Sequence, residues 1–112
     1  MNVLVLEGDG PSVAAADLLA QAFGERAELV SIPASRLAEE FFDLRSGVAG
    51  EFAQKFVNYR VRLAVVGDIS AHLERSDALR AFVAESNRGR QLWFVPTQAD
   101  LDDRLRQESD RP

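Results

Sequence analysis

The sequence predicts a single α/β domain with a four-stranded, mainly parallel sheet and alternating helices. Three observations predict it. Four short apolar runs, Val3–Leu6, Leu29–Ile32, Leu63–Val66 and Leu92–Val95, are spaced so that a helix fits between each pair. The intervening segments carry apolar residues at helical spacing, and right-handed crossovers through such helices make successive strands parallel. The runs are apolar at consecutive rather than alternate positions, so both faces of the sheet must be covered. Helices on both faces would do this, as would helices on one face and a partner on the other.

The first strand is closed by the turn residues Glu7-Gly-Asp-Gly-Pro11. Ser12 is then placed to cap a helix over about Val13–Phe23, with Leu18, Leu19, Ala22 and Phe23 on one face and Gly24 as its C-terminal cap. Pro33 stops the second strand, and Ser35 is placed to cap a short helix carrying Leu37 and Phe41 at i, i+4. Phe41-Phe42-Asp43-Leu44 fits either the end of that helix or an extended crossing before Ser46-Gly47. From Val48 to Asn58 the pattern is helical: Val48, Ala49, Phe52, Ala53, Phe56 and Val57 form an apolar stripe, and Glu51 and Lys55 face outward as an i, i+4 pair. After the third strand, Ser76 caps a helix with Leu79, Phe82 and Val83 inward, and Asn87–Arg90 turns the chain. Thr97 and Asp100 stand at capping-box spacing ahead of Leu101 and Leu105 in the last helix. The domain is expected over residues 1–107, with a frayed tail at 108–112.

With 112 residues, 46% hydrophobic and 28% charged, the chain suits one compact core. A net charge of -5 opposes binding to phosphate backbones, so nucleic acid is not an expected partner. The absence of cysteine excludes disulfides, thiolate metal sites and thiol nucleophiles, and fits a reducing, cytoplasmic setting. No apolar run approaches the ~20 residues of a membrane span, and MNVLVLEGDG lacks the basic start of a signal peptide, so neither is expected. Lys55 is the only lysine among 13 basic residues, an arginine bias that GC-rich bacterial coding produces.

Few residues stand out as chemistry. Glu7, Asp9 and Asp68 fall at the carboxyl ends of strands, where ligands gather in parallel sheets, and together they offer oxygen ligands for Mg²⁺. Ordinary turn chemistry is the stronger reading, so no metal and no cofactor is expected. Glu7–Ser12 lacks a complete phosphate-binding glycine motif, and its two acids oppose an anion. His72, the only histidine, could act as a base with Asp68 or Ser70, but a solvated loop histidine is the plainer reading. Arg60, Arg62, Arg88 and Arg90 could form an anion site before strands three and four, although the acidic balance favours salt bridges. Trp93 and Phe94 are expected in the core or an interface. No catalytic residue is assigned, and an enzyme is the less expected reading.

The segments Phe41–Glu51, Gln54–Arg60, Ala64–Asp68 and Glu85–Gly89 resemble an uncharacterised bacterial family, the domain of unknown function 4180, from about Asp17 to Val95. Against that family the start is short: only Gly8–Val13 stands where a second short strand is expected. More loosely, the order of elements is similar to the STAS (anti-sigma-factor antagonist) fold; a small flavodoxin-like three-layer sandwich is the alternative. The STAS likeness implies a regulatory serine in the turn opening a helix, which falls on Ser46, beside Asp43, Arg45 and Gly47. A phosphate there would meet a helix amino terminus. Read without the likeness, Ser46 caps the helix and Gly47 allows close packing.

Two functions follow as expectations. The first is a non-enzymatic regulatory or protein-interaction domain using the 43–51 turn and helix start, with a protein partner or a homodimer. The second is a small-molecule-binding protein or small enzyme with a pocket formed by Glu51, Gln54, Asn58, Tyr59 and Asp68. Helical spacing puts Glu51, Gln54 and Asn58 on one face.

Overall fold

The computed structural model describes residues 1–110. Four strands, β1 (Val3–Val5), β2 (Leu29–Pro33), β3 (Arg62–Val66) and β4 (Leu92–Val95), form one sheet in the order β1-β2-β3-β4. Every neighbouring pair is parallel, with Ser31 beside Ala64 and Ala64 beside Trp93 in register. Five helices alternate with them: α1 (Ala15–Gly24), α2 (Val48–Asn58), α3 (Ser70–Glu74), α4 (Asp77–Arg88) and α5 (Gln98–Ser109). The single α/β domain with its parallel sheet is therefore as predicted.

The structure settles how the two faces are covered. Strands that follow one another in space as in sequence, joined by crossovers of one hand, send all their connecting helices to the same side. On that side, Val30, Ile32, Leu63, Val65, Leu92 and Phe94 pack with Leu18 and Leu19 of α1, Phe52 and Phe56 of α2, and Leu79 of α4. The opposite face, Leu29, Ala64, Trp93 and Val95, is covered by α5 through the fully buried Leu101 and the half-buried Leu105. Its polar member, Ser31, is 1% exposed and satisfies its hydroxyl by donating to Gln98 Oε1 at 2.8 Å. A flavodoxin-like sheet reverses its strand order at a switch point; this sheet does not.

Several elements depart from the expectations. Ser12 does not cap α1: its N-cap is Ala14, with no side-chain bond to the helix. Nor does Gly24 end it in a left-handed turn. Gly24 is still helical, and the left-handed residue is Arg26, at φ 55°. Between β2 and α2 the chain forms three 3-10 turns, Ala34–Arg36, Glu39–Phe42 and Leu44–Ser46, in place of one short helix capped by Ser35. Phe41, 1% exposed, sets their course by packing edge-on against Phe42 and Phe52. In the α2 stripe, Phe52 and Phe56 are buried but Val57 is 46% exposed. Glu108 and Ser109, expected in the frayed tail, belong to α5; residues 111–112 of that tail lie outside the described residues.

The expected caps of α4 and α5 are present. Ser76 Oγ accepts from Leu79 N–H at 3.0 Å, and Thr97 Oγ1 accepts from Asp100 N–H at 3.1 Å while donating to its carboxylate at 2.8 Å. On the outer edge of β4, the Asn87 side-chain amide accepts from Phe94 N–H at 2.7 Å and donates to Phe94 C=O at 3.2 Å. That side chain stands where a further strand would pair.

Candidate functional site

At the carboxyl edge of the sheet, the 3-10 turns after β2 face the loop and helices after β3. Phe41 is locked into the core, so its neighbour Phe42 is turned toward α3, where its ring lies parallel to that of His72 at 4.2 Å. This stack stands between two depressions. The larger, about 600 Å³, has Asp43, Leu44 and Arg45 on one wall and Arg75, Ser76 and Asp77 on the other. The smaller, about 360 Å³, lies on the side of Ala34, Asp68 and Ile69, and Glu39, Phe42 and His72 border both.

The larger depression is an open trough with an aromatic floor and a rim of both charge signs. Arg45, with its side chain 95% exposed, lies 3.6 Å from Asp43. Across the trough Asp77 pairs with Arg80, and Arg75 Nε donates to Ala71 C=O at 3.1 Å. In the smaller depression, hydrogen bonds from the Ser70 hydroxyl and then its backbone N–H outweigh burial and hold the Asp68 carboxyl below its usual value.

Asp43, Arg45, Ser46 and Gly47 form one continuous turn, and the first two wall the trough. Asp43 accepts from Arg45 N–H at 3.2 Å. The Ser46 hydroxyl shares its one proton between the carbonyl oxygens of Glu40 (2.6 Å) and Asp43 (2.7 Å) and accepts from Val48 N–H at 3.2 Å. It thus ties the last two 3-10 turns to the start of α2. Gly47 is present for its backbone, not for close packing. Its φ is 79°, and a Cβ there would meet nothing within 4 Å.

Glu51, Gln54, Asn58, Tyr59 and Asp68 are not brought together. Glu51 borders a different cavity of about 350 Å³, walled by Val13, Leu37, Phe41 and Phe52 with Lys55 at its rim. Gln54 donates to Asn58 at 2.9 Å on the exposed face of α2. Tyr59, 57% exposed, meets Phe23 edge-on at 5.5 Å beyond the end of α2. That end leads into the amino terminus of β3, whereas Asp68 follows its carboxyl terminus.

The loop Glu7–Pro11 is held from inside by Arg36. Its guanidinium donates to the carbonyl oxygens of Glu7 (2.9 Å), Asp9 (3.0 Å) and Pro11 (2.7 Å). The loop therefore turns acceptors inward around a cation and is no cradle for an anion. Among the described residues, no three His, Asp or Glu side chains are grouped so as to hold a metal ion. No helix there is long and apolar enough to cross a membrane.

At the opposite edge of the sheet, Arg62, Arg88 and Arg90, three of the four arginines singled out before strands three and four, form a second polar cluster made of the salt bridges that the acidic balance favours. Arg62 grips Glu108 with both terminal nitrogens, at 3.0 and 3.1 Å, and Arg90 Nε reaches the same carboxylate at 2.7 Å. Arg62 and Arg104 lie over the Trp93 ring, 4.5 and 4.0 Å from its centre. Arg88 pairs with Glu85 at 3.2 Å. Burial pushes the Glu108 carboxyl up, but the hydrogen bonds and charges of Arg90 and Arg62 overcome it and hold the group below its ordinary value. Partial burial, reinforced by Arg62 and opposed by Glu108, pulls the Arg104 guanidinium below its own. The positions of Arg62, Arg88 and Arg90 just ahead of two strands announce part of this cluster; Arg104 and Glu108, which α5 delivers, have no local spacing that would.

The family described as Domain of unknown function (DUF4180) matches residues 1–105. Comparison with the curated proteins and with the solved structures finds no match, and nothing found ties the chain to the STAS fold specifically.

Proposed function

Because the chain belongs to the DUF4180 family, whose function is unknown, we propose its role from its own surface. It is a non-enzymatic, regulatory protein-interaction domain that docks a partner along the trough between the Asp43–Gly47 turn and the start of α4. The observation that carries this reading is the trough itself: about 600 Å³, open, floored by the Phe42–His72 pair and rimmed by Asp43, Arg45, Arg75 and Asp77. Aromatic anchors ringed by exposed charges are the composition on which protein interfaces concentrate their energy. The reading is non-enzymatic because the hydroxyl nearest the trough, that of Ser46, is committed to tying the turn together, and the His72 ring lends its face to the apolar floor. Phosphorylation of Ser46 supplies the regulation. An esterified oxygen cannot donate to Glu40 and Asp43, so the modification would release the wall that carries Arg45. A cytoplasmic setting fits the cysteine-free sequence, and the charge of -5 argues against nucleic acid as the partner.

The test is capture of a partner by a photo-crosslinker placed at Leu44, followed by quantitation against variants. Arg45→Glu is expected to cut recovery of that partner about tenfold without moving the melting temperature, because the side chain is 95% exposed. Gln54→Ala, on the exposed face of α2, should leave recovery unchanged. Equal recovery with Arg45→Glu and with His72→Ala would sink the reading. A second reading, small-molecule binding, draws on the apolar cavity of about 350 Å³ beside Glu51 and Lys55. A metabolite retained in native mass spectrometry and lost in Phe52→Trp would decide for it.

A further inference from the structure

At the amino-terminal edge of the sheet, remote from the trough, a cavity of about 380 Å³ is lined by three guanidiniums, those of Arg88, Arg90 and Arg104, and one carboxylate, that of Glu108. We infer that this cavity binds a small dianionic oxyanion, a phosphate monoester by class, held by Arg88, Arg90 and Arg104. The one carboxylate does not balance the cluster: it is shared between Arg62, which engages both of its oxygens, and Arg90, which engages one, and it leaves Arg104 without an ion pair. Arg104 is half-buried, and its partners are the Asn87 carbonyl oxygen and the Trp93 ring. Among the described residues no carboxylate stands within ion-pair distance of it. The lowered affinity of Arg104 for its proton fits a cation that is partly desolvated and crowded by Arg62.

The geometry favours a tetrahedral oxyanion. Guanidiniums present paired donors that match phosphate oxygens, and Trp93 holds Arg104 in place before a ligand arrives, which reduces the side-chain entropy lost on binding. Arg88 and Arg90, with side chains 77% and 76% exposed, close over the anion from outside by exchanging their exposed contacts with Glu85 and Glu108 for it. The cavity is small, about 380 Å³, and the chain carries -5 overall, which suits a small ligand and repels a polyanion.

Trp93 is the only tryptophan and carries two guanidiniums over its ring, so its fluorescence reports directly on this cavity. The experiment titrates the full chain with inorganic phosphate at constant ionic strength, with chloride as the reference, read by Trp93 fluorescence and by calorimetry. Saturable phosphate binding is expected, weakened about tenfold in Arg104→Gln and a few-fold in Arg88→Gln. Arg88 is exposed, so its variant should keep the wild-type melting temperature and its loss of binding cannot be ascribed to unfolding. Glu108→Gln removes the only carboxylate that lines the cavity among the described residues and should tighten binding, a gain that a damaged fold cannot produce. A response that chloride reproduces, or equal affinity in the wild type, Arg88→Gln and Glu108→Gln, overturns the proposal. Neither result bears on the trough.

Discussion

Glu108 holds the end of α5 to the strands by a single carboxylate that answers two arginines from distant parts of the chain. Its folded pKa is depressed, so its ionised form is favoured by the fold. The stabilisation is full above the ordinary value of 4.5 and is lost as the pH falls through the lower folded value. We therefore expect Glu108→Gln to be less stable than wild type by about 1–2 kcal/mol at neutral pH. The two melting temperatures should converge on acidification below that value, and parallel curves down to pH 2 would contradict the assignment. At this scale the sequence was hardest to read. An acid near the chain end looks solvated, and the contacts that say otherwise, with Arg62 and Arg90, have no fixed spacing. The same holds for His72, which reads as a loop histidine because nothing near it in sequence announces Phe42. Asp43 and Arg45 were legible as a turn at a helix start, a local property; the opposite wall of their trough was not.

Helices α1 and α2 end in the same way, each with an arginine in the left-handed conformation. Arg60 has φ 58°, Val61 N–H bonds to Phe56 C=O at 3.0 Å and Arg60 N–H to Val57 C=O at 3.1 Å; Arg26 and Ala27 repeat the pattern after α1. This is a Schellman ending with a side chain where glycine is the easiest residue. Arg60→Gly should therefore stabilise the protein by about 0.5–1 kcal/mol, measured by denaturant titration. Destabilisation of that size would mean that the Arg60 side chain makes a contact of its own. Elements were legible wherever a repeating pattern ran long enough. The sequence reading of Val48–Asn58 matches α2 and that of Leu92–Val95 matches β4, because the helical stripe and the bounded apolar run each fit one template. The 3-10 turns and α3 were missed for the same reason: three to five residues are too few to show a period.

At the level of the molecule, alternating apolar runs and helices were enough to define a parallel α/β domain, but not which helix covers which face. That depends on strand order, and here the order places α5 alone over Leu29, Ala64, Trp93 and Val95. Full burial of a leucine such as Leu101 contributes about 1.5–3 kcal/mol, and losing α5 would also bare the surface beneath it. A chain ending at Pro96 is expected to lose its cooperative thermal transition, followed by circular dichroism. A sharp melt within a few degrees of the full chain would show that the second face needs no cover. The strand order also bears on synthesis. Each strand pairs with the one made just before it, so the sheet can grow in step with translation, with every new edge accepting the next arrival. The side that α5 closes stays bare until Gln98–Ser109 leave the ribosome, and for that interval the newborn chain would depend on a chaperone or on speed.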